Sequence, residues 1–173
     1  DSFSGLDKRY RFKMMIGIHT TSLDLLGFID ARKDGVMVDP NKVIKILNDI
    51  QEHYVQTLPH YSSFAVASEL TQGEKKPMWW WAKHNKLSEI KIPSFEKKLH
   101  IYKIIGEELL TIADISRLAT TRIGMINPKH DFRQSEIISQ WESLLKDPLP
   151  VQILEFDVIV SSGFYIRKLV EDL

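Results

Sequence analysis

The chain of 173 residues contains no cysteine, which excludes disulfide bonds and thiolate metal sites. No apolar run approaches the ~20 residues that a membrane-spanning helix needs, and no signal peptide or Arg-rich leader is visible. Basic residues (Lys and Arg) number 23 and acidic residues number 23, so the net charge gives no global argument for a nucleic-acid partner. These absences predict an intracellular protein without a membrane partner, in a compartment that the sequence does not specify.

The sequence offers few arrangements for metal or phosphate chemistry. The six histidines show no metal-ligand spacing with carboxylates, and the glycines are isolated rather than gathered in a phosphate-binding loop. His19, Ser22 and Asp24 imitate a hydrolase triad, but three neighbours within one turn rarely reach triad geometry. We therefore expect no metal and no cofactor.

What the chain does contain is typical of one folded domain. Apolar residues make up 43% and charged residues 27% of the sequence, and a chain of this length can bury a sizeable core. Because it begins at Asp1 and stops at Leu173 within a predicted helix, we expect it to be part of a longer protein. We expect a monomer.

Alternating apolar and polar residues predict the strands. Tyr10, Phe12, Met14, Ile16 and Ile18 alternate with basic residues, which is typical of a strand with one buried face. A loop at residues 20–27 and a short apolar piece from Phe28 follow. Further strands are predicted at about residues 62–66, 99–105 and 154–160.

Helical spacing and capping residues predict the helices. Asp39 and Pro40 form an N-cap and a first helical residue, and Pro59 ends the helix that follows. Its apolar stripe consists of Val43, Ile46, Leu47, Ile50 and Tyr54. Residues 78–83 are predicted to form a short helix. After Gly163 the apolar residues again follow helical spacing, which predicts a helix there. Residues 107–150 hold two helices, marked by Leu109, Leu110, Ile112, Ile115 and Leu118 in one and by Ile137, Ile138, Trp141, Leu144 and Leu145 in the other.

These elements mix without a regular strand–helix–strand repeat. The pattern favours an α+β fold with a mixed, largely antiparallel sheet, flanking helices and a helical insertion at residues 107–150.

Basic and aromatic residues are concentrated in two segments. Residues 75–103 hold eight lysines and two histidines against two glutamates, with Trp79, Trp80 and Trp81 among them. Residues 8–13 add four basic residues. Basic side chains interleaved with aromatic ones suit phosphate neutralisation and base stacking, although a solvated lysine-rich face over core tryptophans gives the same pattern.

Three segments resemble, in order, motifs of the TruB family of tRNA pseudouridine synthases. Residues 7–11, Asp-Lys-Arg-Tyr-Arg, look like the family's Lys-x-Tyr-Arg strand. Residues 56–66, Gln-Thr-Leu-Pro-His-Tyr-Ser-Ser-Phe-Ala-Val, are similar to its Gln-x-Pro-Pro-x-Tyr-Ser-Ala-x-Lys-Val. Residues 161–173, Ser-Ser-Gly-Phe-Tyr-Ile-Arg-Lys-Leu-Val-Glu-Asp-Leu, resemble its Tyr-Ile-Arg signature. The resemblance covers about residues 1–105 and 151–173 and implies a partial catalytic domain of the pseudouridine synthase type.

The resemblance implies an enzyme that isomerises uridine to pseudouridine in the TΨC loop of tRNA. It assigns Tyr10 to the tyrosine that stacks on the flipped base, Arg167 to the arginine that pairs with the catalytic aspartate, and Tyr165 to packing beside it. A half-buried catalytic carboxylate needs such a cation to stay ionised. Tyr10, Tyr165 and Arg167 are therefore the expected catalytic residues.

The nucleophilic aspartate of the family stands in a Gly-x-Leu-Asp-Pro loop that precedes the Lys-x-Tyr-Arg strand. Only residues 1–6 precede that strand here, so we expect the nucleophile to lie outside this chain. Asp24 is a weaker candidate, because it follows Leu23 as the nucleophile would. It lies after Tyr10, however, where the family has a Thr-Asp-Thr-x-Asp turn, and no proline follows it.

The resemblance also implies an RNA-gripping thumb at residues 61–93, with tRNA as the partner. The RNA-binding candidates are Lys8, Arg9, Arg11, Lys76, Trp79, Trp81 and Lys83. Trp and Lys stand where the family has Tyr and Arg, which preserves stacking and charge but loses bidentate phosphate contacts. The guide-RNA-dependent branch of the family has a much shorter thumb, so the long thumb of this chain argues against that branch. A catalytically inactive RNA-binding or structural relative is the alternative, and a plain protein-interaction domain is a third.

Overall fold

A computed structural model of the protein describes residues 5–68, 70, 73 and 75–173. The strands are β1 (Lys8–Met15), β2 (Ile18–Thr20), β3 (Ile29–Arg32), β4 (Tyr54–Thr57), β5 (Ala65–Ala67), β6 (Lys75–Pro77), β7 (Ser94–Lys97), β8 (Leu99–Thr111) and β9 (Pro150–Val160). The α-helices are α1 (Pro40–Ile50), α2 (Met78–Lys83), α3 (Ile112–Gly124), α4 (Gln134–Glu142) and α5 (Ile166–Asp172), and Leu87–Glu89 form a 3₁₀ turn.

The predicted α+β class is confirmed. The main sheet has three antiparallel strands in the order β1-β9-β8, and β2–β3, β4–β7 and β5–β6 form two-stranded antiparallel ribbons. Every strand pair among the described residues is antiparallel. In the same part of the chain, no helix is both long and apolar enough to cross a bilayer.

Strand β9 lies at the centre of the molecule because both of its faces are covered. On one face, Phe156 and Val158 pack in a core with residues of α1 and α5, and the ring of Phe12 stacks on that of Phe156 at 5.0 Å. On the other, Val151 and Ile153 join a second core with residues of α3 and α4. Two-sided burial explains why this strand is apolar along most of its length.

Helix α1 begins as predicted but ends earlier. The Asp39 side chain accepts a hydrogen bond from the Asn41 backbone N–H at 2.9 Å, and Pro40 is the first helical residue. The helix ends at Ile50 rather than at Pro59, so Tyr54 was wrongly predicted to be helical. Residues 54–57 form β4, whose alternating burial fits pairing with β7.

The strand predicted at about residues 62–66 is displaced. It covers only Ala65–Ala67, which pair with β6. The segment before it takes an irregular path, in which the Ser62 hydroxyl accepts a hydrogen bond from the Phe64 backbone N–H at 3.0 Å.

The insertion at residues 107–150 contains the two predicted helices, but some predicted bounds are wrong. Leu144 and Leu145 were predicted to be helical and instead form a turn after α4, which ends at Glu142. Leu109 and Leu110 were predicted to be helical and instead extend β8, which pairs with β9 as far as Thr111. Thr111 then stops the strand, because its hydroxyl accepts from the Asp114 N–H while the Asp114 carboxylate accepts from the Thr111 N–H. The helix therefore begins at Ile112.

The thumb, residues 61–93, has a small core of its own. Residues 69, 71, 72 and 74 of the predicted segment lie outside the described part of the chain. The rest contains the β5–β6 ribbon and helix α2, as the sequence predicted for residues 78–83. Its buried apolar residues, together with one from the preceding loop, are Leu58, Val66, Met78, Trp81 and Ile90.

Candidate functional site

The site is built around the junction between β9 and α5. Gly163 adopts a left-handed conformation with φ of +68°, and a Cβ there would lie 2.9 Å from the Lys97 ammonium nitrogen. The backbone angle favours glycine at this position, whereas the end of the flexible Lys97 side chain could move aside. After this turn, Phe164 and Leu169 are buried and anchor α5 on the sheet.

A buried glutamine fixes the backbone where α5 begins. The Gln56 side-chain amide donates to the Tyr165 carbonyl oxygen at 3.0 Å, and its carbonyl accepts from the Tyr165 N–H at 2.9 Å. The Tyr165 hydroxyl lies 2.8 Å from the Ser62 hydroxyl. The segment at residues 56–62 therefore holds the start of α5 through three hydrogen bonds.

Arg167 extends from α5 to the loop after β2. Its Nη1 atom donates to the Asp24 carboxylate at 2.8 Å and to the Ser22 carbonyl oxygen at 3.1 Å. The side chains of Arg167 and Asp24 are 38% and 31% exposed, so the ion pair is half-buried and open to solvent on one side. It joins two segments that are distant in sequence.

The loop holds the Asp24 carboxylate in a fixed position. Its Oδ1 atom accepts from the Ser22 hydroxyl at 2.6 Å and from the Leu26 N–H at 3.0 Å, while Oδ2 accepts from Arg167. Leu23 adopts a positive φ of 59°, which is uncommon for a non-glycine residue. Three hydrogen bonds thus hold the Asp24 carboxylate in place, and the one from Arg167 also fixes the position of the guanidinium group.

Tyr61 lies against the other side of Arg167. The guanidinium carbon is 3.5 Å from the ring centroid, which is a cation–π contact. Burial raises the pKa of Tyr61 to about 12, and the positive charge of Arg167 opposes this shift. The buried Tyr61 hydroxyl has no hydrogen-bond partner within the described part of the chain.

Asp24 and Arg167 also line a cavity of about 810 Å³. One wall is the edge of β1 opposite β9, at Arg11–Ile16, and apolar residues of α3 and α5 form others. Ligand pockets typically measure ~300–1,000 Å³ and combine apolar walls with a few polar groups. The volume and lining of this cavity fit that description.

Tyr10 lies apart from this cluster. It is on β1 opposite Val158, is 36% exposed, and is not among the described residues that line the cavity. The structure thus brings together Arg167, Asp24 and the segment containing Tyr165, and leaves Tyr10 outside.

The basic residues of β1 are engaged with a carboxylate of β9. Arg9 donates to Asp157 from Nε at 2.8 Å and from Nη2 at 2.5 Å, and Arg11 donates to it at 3.4 Å. The hydrogen bond from Arg9 lowers the pKa of the Asp157 carboxyl to about 2. Lys8 is exposed at the start of the strand. Arg9 and Arg11 are also exposed, but the Asp157 carboxylate neutralises part of their positive charge.

The three tryptophans of α2 have different surroundings. Trp79 is 46% exposed. Trp80 stacks on the His84 ring at 4.1 Å, and the Lys76 ammonium lies 5.5 Å from its ring centroid. Lys83 is exposed in the last turn of the helix.

Trp81 is a correction to the predicted RNA-binding set. It is only 2% exposed, and its indole N–H donates to the carbonyl oxygens of Val66 and Lys76. A side chain enclosed in the thumb core presents no face on which a base could stack.

Among the described residues, no group of three or more His, Asp or Glu side chains could hold a metal ion.

Sequence reasoning had not assigned Gln56, Tyr61 or Ser22 to the site. Gln56 and Tyr61 do stand within a motif quoted above, which was the available signal. Comparison with protein-family models finds no family that matches the chain, and no curated protein matches it.

Proposed function

We propose that the protein is an RNA pseudouridine synthase of the TruB type, acting on a uridine in the TΨC loop of tRNA. The observation that carries the proposal is the contact between two motif segments around α5. The segment at residues 56–62 contacts the segment at 161–173 through Gln56, Tyr61 and Ser62. These two segments resemble separate motifs of one family, and they meet at Arg167 and Tyr165, which the resemblance makes functional. We also propose that the α+β fold of this chain is that of a pseudouridine synthase domain.

The reaction breaks the bond between N1 of uracil and C1′ of the ribose and turns the base. It then joins C5 to C1′, the proton on C5 is lost, and N1 takes up a proton, so that the product is an isomer of the substrate. An aspartate that attacks the nucleoside must stay ionised, and a nearby guanidinium favours that state. Arg167 is suited to this role. Its Nη1 atom is used by Asp24 and Ser22, whereas Nε and Nη2 have no hydrogen-bond partner among the described residues.

Those two nitrogens form a fork that fits a carboxylate or a phosphate in a bidentate manner. In this proposal the fork faces the nucleophilic carboxylate, while Asp24 keeps Arg167 in position. The resemblance assigns Tyr10 to the surface for the flipped base, and Tyr10 is not among the described residues that line the cavity. The thumb, with Trp79, Lys76 and Lys83, contacts the tRNA.

A second candidate is a catalytically inactive RNA-binding relative. Among the described residues, the carboxylate that contacts Arg167 is that of Asp24, which stands after Tyr10 and is not followed by a proline, unlike the nucleophile of the family. A protein of this kind would bind tRNA through the thumb without changing it.

Tritium release separates the two candidates. The full-length protein, which includes the segment expected to carry the nucleophile, is used here and in every activity assay below. It is incubated with tRNA labelled at C5 of uridine, and tritium in the solvent is measured together with tRNA binding. A synthase releases tritium in proportion to the pseudouridine formed. Binding without release supports the inactive relative, and the absence of both rejects RNA as the partner.

A further inference from the structure

Tyr61 contacts the guanidinium group of Arg167 on a side that the ion pair with Asp24 leaves free to move. Asp24 and Ser22 both bind Nη1, so they fix one end of the guanidinium group. Rotation about that end would swing the other two nitrogens through the cavity. The Tyr61 ring, 3.5 Å from the guanidinium carbon, blocks this rotation on one side.

The part of Tyr61 that contributes is the ring, not the hydroxyl. The hydroxyl oxygen is buried without a hydrogen-bond partner among the described residues, and Tyr61 does not line the cavity. Its pKa of about 12 keeps the side chain neutral at physiological pH. Tyr61 therefore reaches a ligand only through Arg167.

We propose that Tyr61 is a positioning residue, whose ring holds the Nε and Nη2 atoms of Arg167 in the direction needed to bind the reacting carboxylate. The proposal rests on the proposed function. A shift of a catalytic group by about 1 Å can cost on the order of 100-fold in rate. Loss of the ring is thus expected to affect turnover rather than tRNA binding.

The first test compares Tyr61→Leu with Tyr61→Phe in pseudouridine formation. Tyr61→Leu removes the ring and should lower kcat by roughly tenfold or more while KM for tRNA stays unchanged. Tyr61→Phe retains the ring and should restore the kcat that leucine loses. Wild-type kcat in folded Tyr61→Leu, or an equal loss in Tyr61→Phe, would overturn the proposal.

Pentafluorophenylalanine at position 61 covers the case in which Tyr61→Leu does not fold. It keeps the shape of the ring but reverses its quadrupole, so the attraction for a cation is lost. We expect kcat to fall as in Tyr61→Leu, with the melting temperature close to that of Tyr61→Phe. A kcat equal to that of Tyr61→Phe would overturn the proposal that attraction between the ring and the guanidinium holds Arg167 in position.

A measurement without turnover distinguishes this proposal from the proposed function. The Arg167 Nε–H proton, identified by its absence in Arg167→Lys, should resonate upfield of other arginine Nε–H protons because it lies near the Tyr61 ring. Tyr61→Leu should abolish that shift and speed rotation of the guanidinium. An upfield shift in a wild-type protein that makes no pseudouridine would reject the proposed function alone, whereas an Arg167 signal unchanged by Tyr61→Leu would reject the role of Tyr61.

Discussion

Gln56 and Tyr165 exchange two hydrogen bonds that tie β4 to the first residue before α5. Gln56 is 1% exposed, so neither of its polar groups can turn to water instead. Because α5 carries Arg167, this pair fixes the base from which the functional arginine extends. Its contribution to stability can be measured separately from any activity.

Gln56→Ala should lower the free energy of unfolding by about 1–3 kcal/mol, because it leaves the Tyr165 N–H without its partner, whereas the Tyr165 carbonyl oxygen still accepts the Leu169 N–H. Urea denaturation measures this difference. Thr57→Ala is the matched control, since Thr57 is the exposed neighbour and should change stability by less than about 0.5 kcal/mol. Equal effects of the two substitutions would show that the Gln56–Tyr165 pair is not a special anchor.

The Asp157 carboxyl should make stability depend on pH in the acid range. Its pKa is lowered from 3.8 to about 2, chiefly by the hydrogen bond from Arg9. A carboxyl with a depressed pKa in the folded state stabilises the protein above its unfolded-state pKa, and this contribution disappears as pH falls. Stability should therefore decrease between about pH 4 and pH 2.

Urea denaturation across that range measures the effect as a difference between proteins. Asp157→Asn should lose less stability on acidification than the wild type, and Arg9→Gln should reproduce part of that flattening because Arg9 is the main cause. Parallel curves for the wild type and Asp157→Asn would contradict the ion pair.

Trp79 should be the tryptophan that contacts RNA. Stacking of a base on an aromatic ring is worth ~1–3 kcal/mol, so Trp79→Ala should weaken tRNA binding by roughly tenfold. Binding should also quench tryptophan fluorescence and weaken as salt increases. Fluorescence titration at two salt concentrations measures both properties.

Trp81→Ala is the contrasting variant. Trp81 is buried, so its removal should destabilise the protein by ~3–5 kcal/mol through loss of packing. If Trp79→Ala leaves both affinity and salt dependence intact, the thumb does not bind RNA as proposed.

Local patterns were sufficient for the elements that short-range physics determines. The cap at Asp39, the short helix α2 and the strands β1 and β9 were confirmed. Burial of one face only was not, because Tyr10 is exposed and β9 is buried on both faces. The errors at Tyr54 and Leu109 have a common cause. Apolar residues at these positions fit a helix and a strand equally well over a short stretch, and only pairing with β7 or β9 decides between them.

The contacts within the site likewise could not be predicted from local sequence patterns. Arg167 and Asp24 could be selected from sequence, but their contact depends on how the loop after β2 meets α5. Neighbouring helical positions diverge by about 100°, so three adjacent tryptophans cannot all face one core. Trp79 is the one that is 46% exposed. Which tryptophan is buried depends on where β5 lies, and this is why Trp81 was wrongly included.

The proposed activity is tested most directly by mapping pseudouridine in the TΨC loop of tRNA after incubation with the full-length wild-type protein, Arg167→Ala and Tyr10→Phe, because the nucleophile is expected outside these 173 residues. The account predicts pseudouridine at one loop uridine with wild-type protein. It predicts a loss of ~100-fold or more in rate with either variant, while tRNA binding is retained. Absence of pseudouridine from tRNA that the wild-type protein binds, or wild-type turnover in Arg167→Ala, would contradict it.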